Sequence, residues 1–118
     1  MEKTEKIIQE LIDSSIGRDI ALKSGNSRDV GKHFNNYIKS QKTLREMGIE
    51  AINSALLCLK HENPYIRLNV AITIIPFYPD LAREVIQEVA EAKRRGLVEF
   101  SAEMFLKEWD AGRIKFDF

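Results

Sequence analysis

Residues 61–75 read His61-Glu62-Asn63-Pro64-Tyr65-Ile66-Arg67-Leu68-Asn69-Val70-Ala71-Ile72-Thr73-Ile74-Ile75, and the reading of this stretch decides the fold. The run from Ile66 to Ile75 is rich in β-branched residues and would suit a buried strand as well as a helix. The residues ahead of it favour the helix. Asparagine accepts hydrogen bonds from free N–H groups at a helix start, and proline fits the first helical position, where its missing N–H costs nothing. About three turns follow before Pro76, which disfavours α geometry in the residue before it. The spacing predicts a helix over 64–75 with Val70, Ala71 and Ile74 almost fully buried. Apolar groups lie nearly all round it, so it is expected at the centre, covered on more than one side.

Downstream, Pro79 restarts the chain, and Leu81, Ala82, Val85, Ile86, Val89 and Ala92 give an amphipathic helix to about Arg95. Its acidic start (Asp80, Glu84) and basic end (Lys93, Arg94, Arg95) match the helix dipole. Gly96 stops it. Ser101 is expected to cap the last helix, with Phe100 packing on Phe105 as a hydrophobic staple and Phe105, Leu106 and Trp109 turned inward. Gly112 closes that helix and leaves residues 112–118 as an extended tail.

Upstream, Ile52, Ala55, Leu56 and Leu59 trace the buried face of a third helix that starts just after Gly48. Before it, Val30, Phe34, Tyr37, Ile38, Gln41 and Leu44 mark the inward stripe of a second, capped by Ser27 with Asp29 in its first turn. The first helix carries Ile7, Ile8, Leu11, Ile12, Ile16 and Ile20 on one stripe. It either runs through Gly17 to about Lys23 or bends there, and Gly25 is suited to end it. The sum is an all-α chain of six helices, expected to stack as antiparallel hairpins within a single domain, residues 1–118.

Composition sets the outer limits. Eighteen basic residues balance eighteen acidic ones, whereas a nucleic-acid or anionic-membrane binder normally shows a basic excess. A single cysteine, Cys58, makes no internal disulfide, and the charged start Met1 to Lys6 lacks the apolar core of a signal peptide. The longest apolar stretch, Val70 to Phe77, is too short to span a bilayer. These features lead us to expect a cytoplasmic protein with no membrane contact.

The order of Asn63, Pro64, Ile66, Arg67, Val70 and Ala71 resembles one HEAT repeat, and Tyr78-Pro79-Asp80 resembles the turn into the next. The segment from Gly96 to Gly112, with Phe100-Ser101-Ala102-Glu103-Met104 and Leu106-Lys107-Glu108-Trp109, resembles the closing part of a small bacterial domain family. That family has a HEAT- or armadillo-like fold and no established activity, and the likeness extends more faintly over Ile20 to Leu44. The resemblance implies a right-handed helical superhelix and transfers no catalytic residue. In HEAT-like stacks an arginine placed as Arg67 commonly reaches carboxylates or carbonyls of the neighbouring turn.

Cys58 and His61 stand three apart, close enough on a helix for a thiolate and an imidazole to meet. Leu57 and Leu59 flank the cysteine, however, and point to a core residue, while His61 suits a helix end. Only two histidines, His33 and His61, are present, and no Glu-x-x-His pair, so no metal or other cofactor is expected. The run from Gly25 to Gly31-Lys32 is not a phosphate loop. It has five residues between its glycines instead of four, and His33 stands where a serine or threonine should bind magnesium.

The reading that follows is a non-catalytic protein-interaction module, a small adaptor, regulator or immunity-type partner, since helical repeats chiefly present a surface. Its partner is expected to be another protein, with a homodimer as an option. Arg67, with Tyr65 and Asn69 one turn around it, is the expected contact set if it is not structural. The alternatives are an enzyme whose site gathers Asp29, Tyr37, Tyr65 and Glu99, and a weak nucleic-acid binder using Lys93, Arg94 and Arg95.

Overall fold

The computed structural model describes residues 2–94 and 96–114, Glu2 by its backbone alone. Within them lie α1 (Glu2–Ser24), α2 (Ser27–Met47), α3 (Ile49–Ala55), a 3₁₀ segment (Leu56–Lys60), α4 (Pro64–Ile74), α5 (Pro79–Ala90) and α6 (Leu97–Asp110). No strand occurs among the described residues, and the fold is all-α. The chain divides into two compact units, Met1–Leu57 and Cys58–Phe118.

In the first unit α1 runs unbroken through Gly17. Gly25, at φ +72°, and Asn26 then turn the chain back onto itself, and α2 packs along α1. The left-handed backbone at Gly25 is one that a glycine adopts without steric penalty. The cap of α2 is Asn26 rather than the expected Ser27. Its Oδ1 accepts the Asp29 N–H at 3.1 Å, and its Nδ2 donates to the Asp29 carboxylate at 2.9 Å. An amide side chain serves both the backbone and the first-turn acid, which a serine at the next position could not do.

The contact face of α1 also differs from its isoleucine stripe. Ile20 is 61% exposed, and Ile7, Ile8, Ile12 and Ile16 are only half-buried. Leu11 is buried, and around it so are Thr4, Ser14, Ser15 and Ala21. Small side chains let two helices approach closely, and both serine hydroxyls donate to the Leu11 carbonyl, at 3.0 and 2.8 Å. Opposite them α2 buries Tyr37, Ser40, Gln41 and Leu44, while Phe34 and Ile38 remain exposed. The third helix ends early, at Ala55, and the chain tightens into the 3₁₀ segment, leaving Leu56 and Leu59 half-buried.

In the second unit the decisive stretch is helical as expected. Asn63 caps α4 by accepting the Tyr65 N–H at 2.8 Å, and eight of the eleven residues of α4 are buried. Val70, Ala71 and Ile74 are among the most deeply buried side chains. α5 packs on α4 through Ala82, Val85, Ile86 and Val89, and α6 packs on α5.

The beginning of α6 corrects the sequence reading. The helix starts at Leu97, not after Ser101. Glu99 lies buried in the first turn, and its Oε1 accepts the Gly96 N–H at 2.6 Å. An acid at the third helical position is the returning half of a capping box, and it outweighs the serine further on. Advancing the start by five residues turns Phe100 and Ser101 outward, so no staple forms. Val98, Glu99 and Ala102 face inward instead. Trp109 is half-buried, edge-on to Phe105 with ring centroids 6.2 Å apart and with the Arg83 guanidinium 5.3 Å over its ring. α5 likewise stops at Ala90, where Ala92 N–H closes onto Val89 as a tight turn, so Lys93 and Arg94 fall in the link. Of the expected tail, Arg113 grips Glu108 through two hydrogen bonds, at 2.6 and 3.0 Å, and holds that carboxyl below the usual range. Residues 115–118 lie outside the described part, as does Arg95 of the basic cluster.

Chemical denaturation tests the revised helix start. We expect Glu99→Ala to lower stability by about 2 kcal/mol through loss of a charged hydrogen bond. Ser101→Ala should change it by no more than about 0.5 kcal/mol, as for an exposed position inside a helix. The reverse ranking would return the helix start to Ser101.

Candidate functional site

Sequence placed three residues at a contact face, and the structure separates them. Tyr65 and Asn69 are buried in α4, so they do not share a surface with Arg67. Arg67 is half-buried, and its Nη1 donates to the carbonyl oxygens of His61 at 2.9 Å and Glu62 at 3.3 Å. A guanidinium tied to the turn ahead of its own helix fixes how the chain enters α4.

The scattered set considered for an enzyme is committed locally. Asp29 belongs to the Asn26 cap, Tyr37 OH accepts from Gln41 Nε2 at 2.6 Å inside the first unit, Tyr65 is buried, and Glu99 caps α6. His61 uses Nδ1 to accept the Asn63 N–H at 3.0 Å. Cys58 sits in the 3₁₀ segment, where burial pushes its thiol above the ordinary value and so disfavours the thiolate. Among the described residues no group of three or more His, Cys, Asp or Glu side chains is placed to hold a metal ion. No described helix is long and apolar enough to cross a membrane.

The first unit contains a feature that the apolar pattern did not reveal. An open cleft of about 450 Å³ lies between α1 and α2. Glu10 and Asp13 stand on its α1 side and Lys32 and Lys39 on its α2 side. Ser14, His33, Asn36 and Ser40 complete the lining, every member of which is a polar or charged residue. His33 packs against Gly17 of α1. A Cβ there would stand 2.5 Å from Cε1 and 2.6 Å from Nδ1 of His33, so the imidazole occupies the space of the missing side chain. Ser40 Oγ and Ser14 Oγ turn back to their own helices, donating to Asn36 O at 3.0 Å and Leu11 O at 3.0 Å. The signal was present as a glycine inside a strong helical pattern, facing a histidine-bearing helix.

The second unit presents a different surface. Leu97, Phe100 and Met104 are 56%, 57% and 37% exposed, and their spacing of three and four sets them on one face of α6. The early start of α6 is what turns this stripe outward.

No family model matches the chain, and no curated protein sequence does so significantly. The fold is similar to the crystal structure of the protein RPA1889 from Rhodopseudomonas palustris CGA009. The TM-score is 0.85 at 19% identity, over 97% of this chain and 93% of that one. Likeness at that identity shows a shared all-helical fold with a bacterial protein and nothing of activity. The domain-family resemblance of residues 96–112 is not matched by any family model.

Two measurements follow. At pH 8, iodoacetamide should alkylate Cys58 several-fold more slowly in the native protein than in urea, as for a thiol pushed up by burial. Gly17→Ala should stabilise a His33→Ala background by about 1 kcal/mol, the ordinary helix gain. In the wild type the displaced imidazole should cancel most of that gain. Equal effects in the two backgrounds would mean that ring and glycine are not coupled.

Proposed function

We propose that the chain is a non-catalytic protein-interaction module of the HEAT-like kind, a small bacterial adaptor or regulator acting in the cytoplasm. The observation that supports it most is the outward stripe of Leu97, Phe100 and Met104 on α6. Exposed apolar residues scattered singly are ordinary, but three aligned on one helix face form the anchor pattern used when one helix docks on another protein. The capped start of α4 and the grip of Arg67 on the preceding turn agree with a HEAT-like hairpin. In this reading α4 and α5 are the support and α6 the presented edge. Arg67 retains part of its surface, so a contact with the partner adds to its structural bonds.

Affinity capture from a lysate of the native host, compared between wild type and Phe100→Glu, tests this. A carboxylate in the middle of the stripe should abolish retention of the specific partner and leave the thermal melt unchanged, because Phe100 is mostly exposed. Identical retained proteins from the two baits would remove α6 as the docking edge. Retention of no protein by either bait would remove the interaction reading itself.

A further inference from the structure

We propose that the cleft between α1 and α2 binds a small solute carrying an ammonium and a carboxylate together, the chemistry of a free amino acid or dipeptide. The two sides of the cleft are opposite in sign: Glu10 and Asp13 from α1, Lys32 and Lys39 from α2. Packed helices lie roughly 8–10 Å apart, so lysines on one ordinarily reach carboxylates on the other. Here they do not. Among the described residues none of these four makes an ion pair, although Lys23–Asp19, Arg83–Asp110 and Arg113–Glu108 all do. Asp13 accepts a hydrogen bond from Gln9 on its own helix, and Glu10 and both lysines are left to solvent.

A ligand of one sign would satisfy one wall and be repelled by the other, whereas a zwitterion laid across the cleft neutralises both. The volume of about 450 Å³ lies in the range of small-molecule sites and exceeds what one ordered water fills. Apart from the His33 imidazole, the lining contains no aromatic side chain for stacking a base, and it has no apolar side chain for seating an acyl chain. His33 supplies a further polar group beside the basic wall, seated there by Gly17 at the cost of a weaker helix. This site is independent of the α6 stripe and makes no use of it.

The test is a two-dimensional amide NMR titration of the intact chain with the dipeptide lysylglutamate, with butylamine and butyrate as controls of a single sign. We expect saturable shifts confined to the amides around Glu10 to Gly17 and Lys32 to Lys39, and binding of either control about tenfold weaker or less. The paired reversal Lys32→Glu with Lys39→Glu makes both walls acidic, and Glu10→Lys with Asp13→Lys makes both basic. Each should lose the dipeptide by about tenfold or more, and the fourfold exchange, which restores opposite walls, should recover it. Should a reversal lower the melting temperature, the neutral pair Lys32→Gln with Lys39→Gln carries the comparison. Absence of saturable shifts up to the solubility of the dipeptide overturns the proposal. So does equal binding of the single-sign controls, or a fourfold exchange that binds no better than either half.

Discussion

Burying a helix on most of its circumference takes its polar side chains out of water, so each needs a partner inside the protein, and in α4 bonds to the nearby backbone meet part of that demand. Thr73, fully buried, donates to the Asn69 carbonyl one turn back at 2.7 Å. Asn63 satisfies the first free N–H, Pro64 removes another, and Arg67 reaches the carbonyls of the turn before the helix. A buried polar group without a partner costs on the order of 1–3 kcal/mol, so each of these bonds is a condition for the burial around it. With α4 closed in this way, α5 and α6 can pack through small and branched residues such as Ala82, Ile86, Val89 and Ala102.

In the first unit three buried serines meet the same demand at a helix seam. Ser14, Ser15 and Ser40 lie buried and return their hydroxyls to carbonyls of their own helices, beside the large buried side chains of Leu11, Tyr37 and Leu44. Ile20, Phe34 and Ile38 meet solvent outside this buried set. Phe34 there carries the Arg18 guanidinium 4.9 Å from its ring centre. The polar cleft is the flank of this seam. Ser14 and Ser40 line it with short side chains, and its charged residues are exposed to solvent.

This contrast explains what could be read in the sequence. α4 was legible because a proline, a cap and a continuous apolar run all acted locally and agreed. α1 and α2 were legible as helices, and their stripes rightly held Leu11, Tyr37, Gln41 and Leu44, but the buried serines beside them were not legible, because apolar periodicity marks where large side chains lie and says nothing of small polar ones. At α6 two start signals competed, Ser101 and the Gly96–Glu99 pair, and the burial of Glu99 decided between them. That same shift moved Phe100 from an expected core position to the surface. The cleft was invisible for a simpler reason: its walls come from residues about twenty apart, and pairing them required knowing which faces meet.

The 3₁₀ segment from Leu56 to Lys60 has a bearing on how the molecule comes into being. It buries none of its own residues, and on either side of it the helices pack chiefly on their neighbours in sequence, α1 with α2, α4 with α5, α5 with α6. Contacts between close neighbours close short loops, which keeps the entropic barrier to their formation low. During synthesis the first fifty-seven residues therefore hold all the partners of their own compact unit before α6 has left the ribosome. Assembly of the nascent chain can proceed in two instalments, with the 3₁₀ turn as the pause between them.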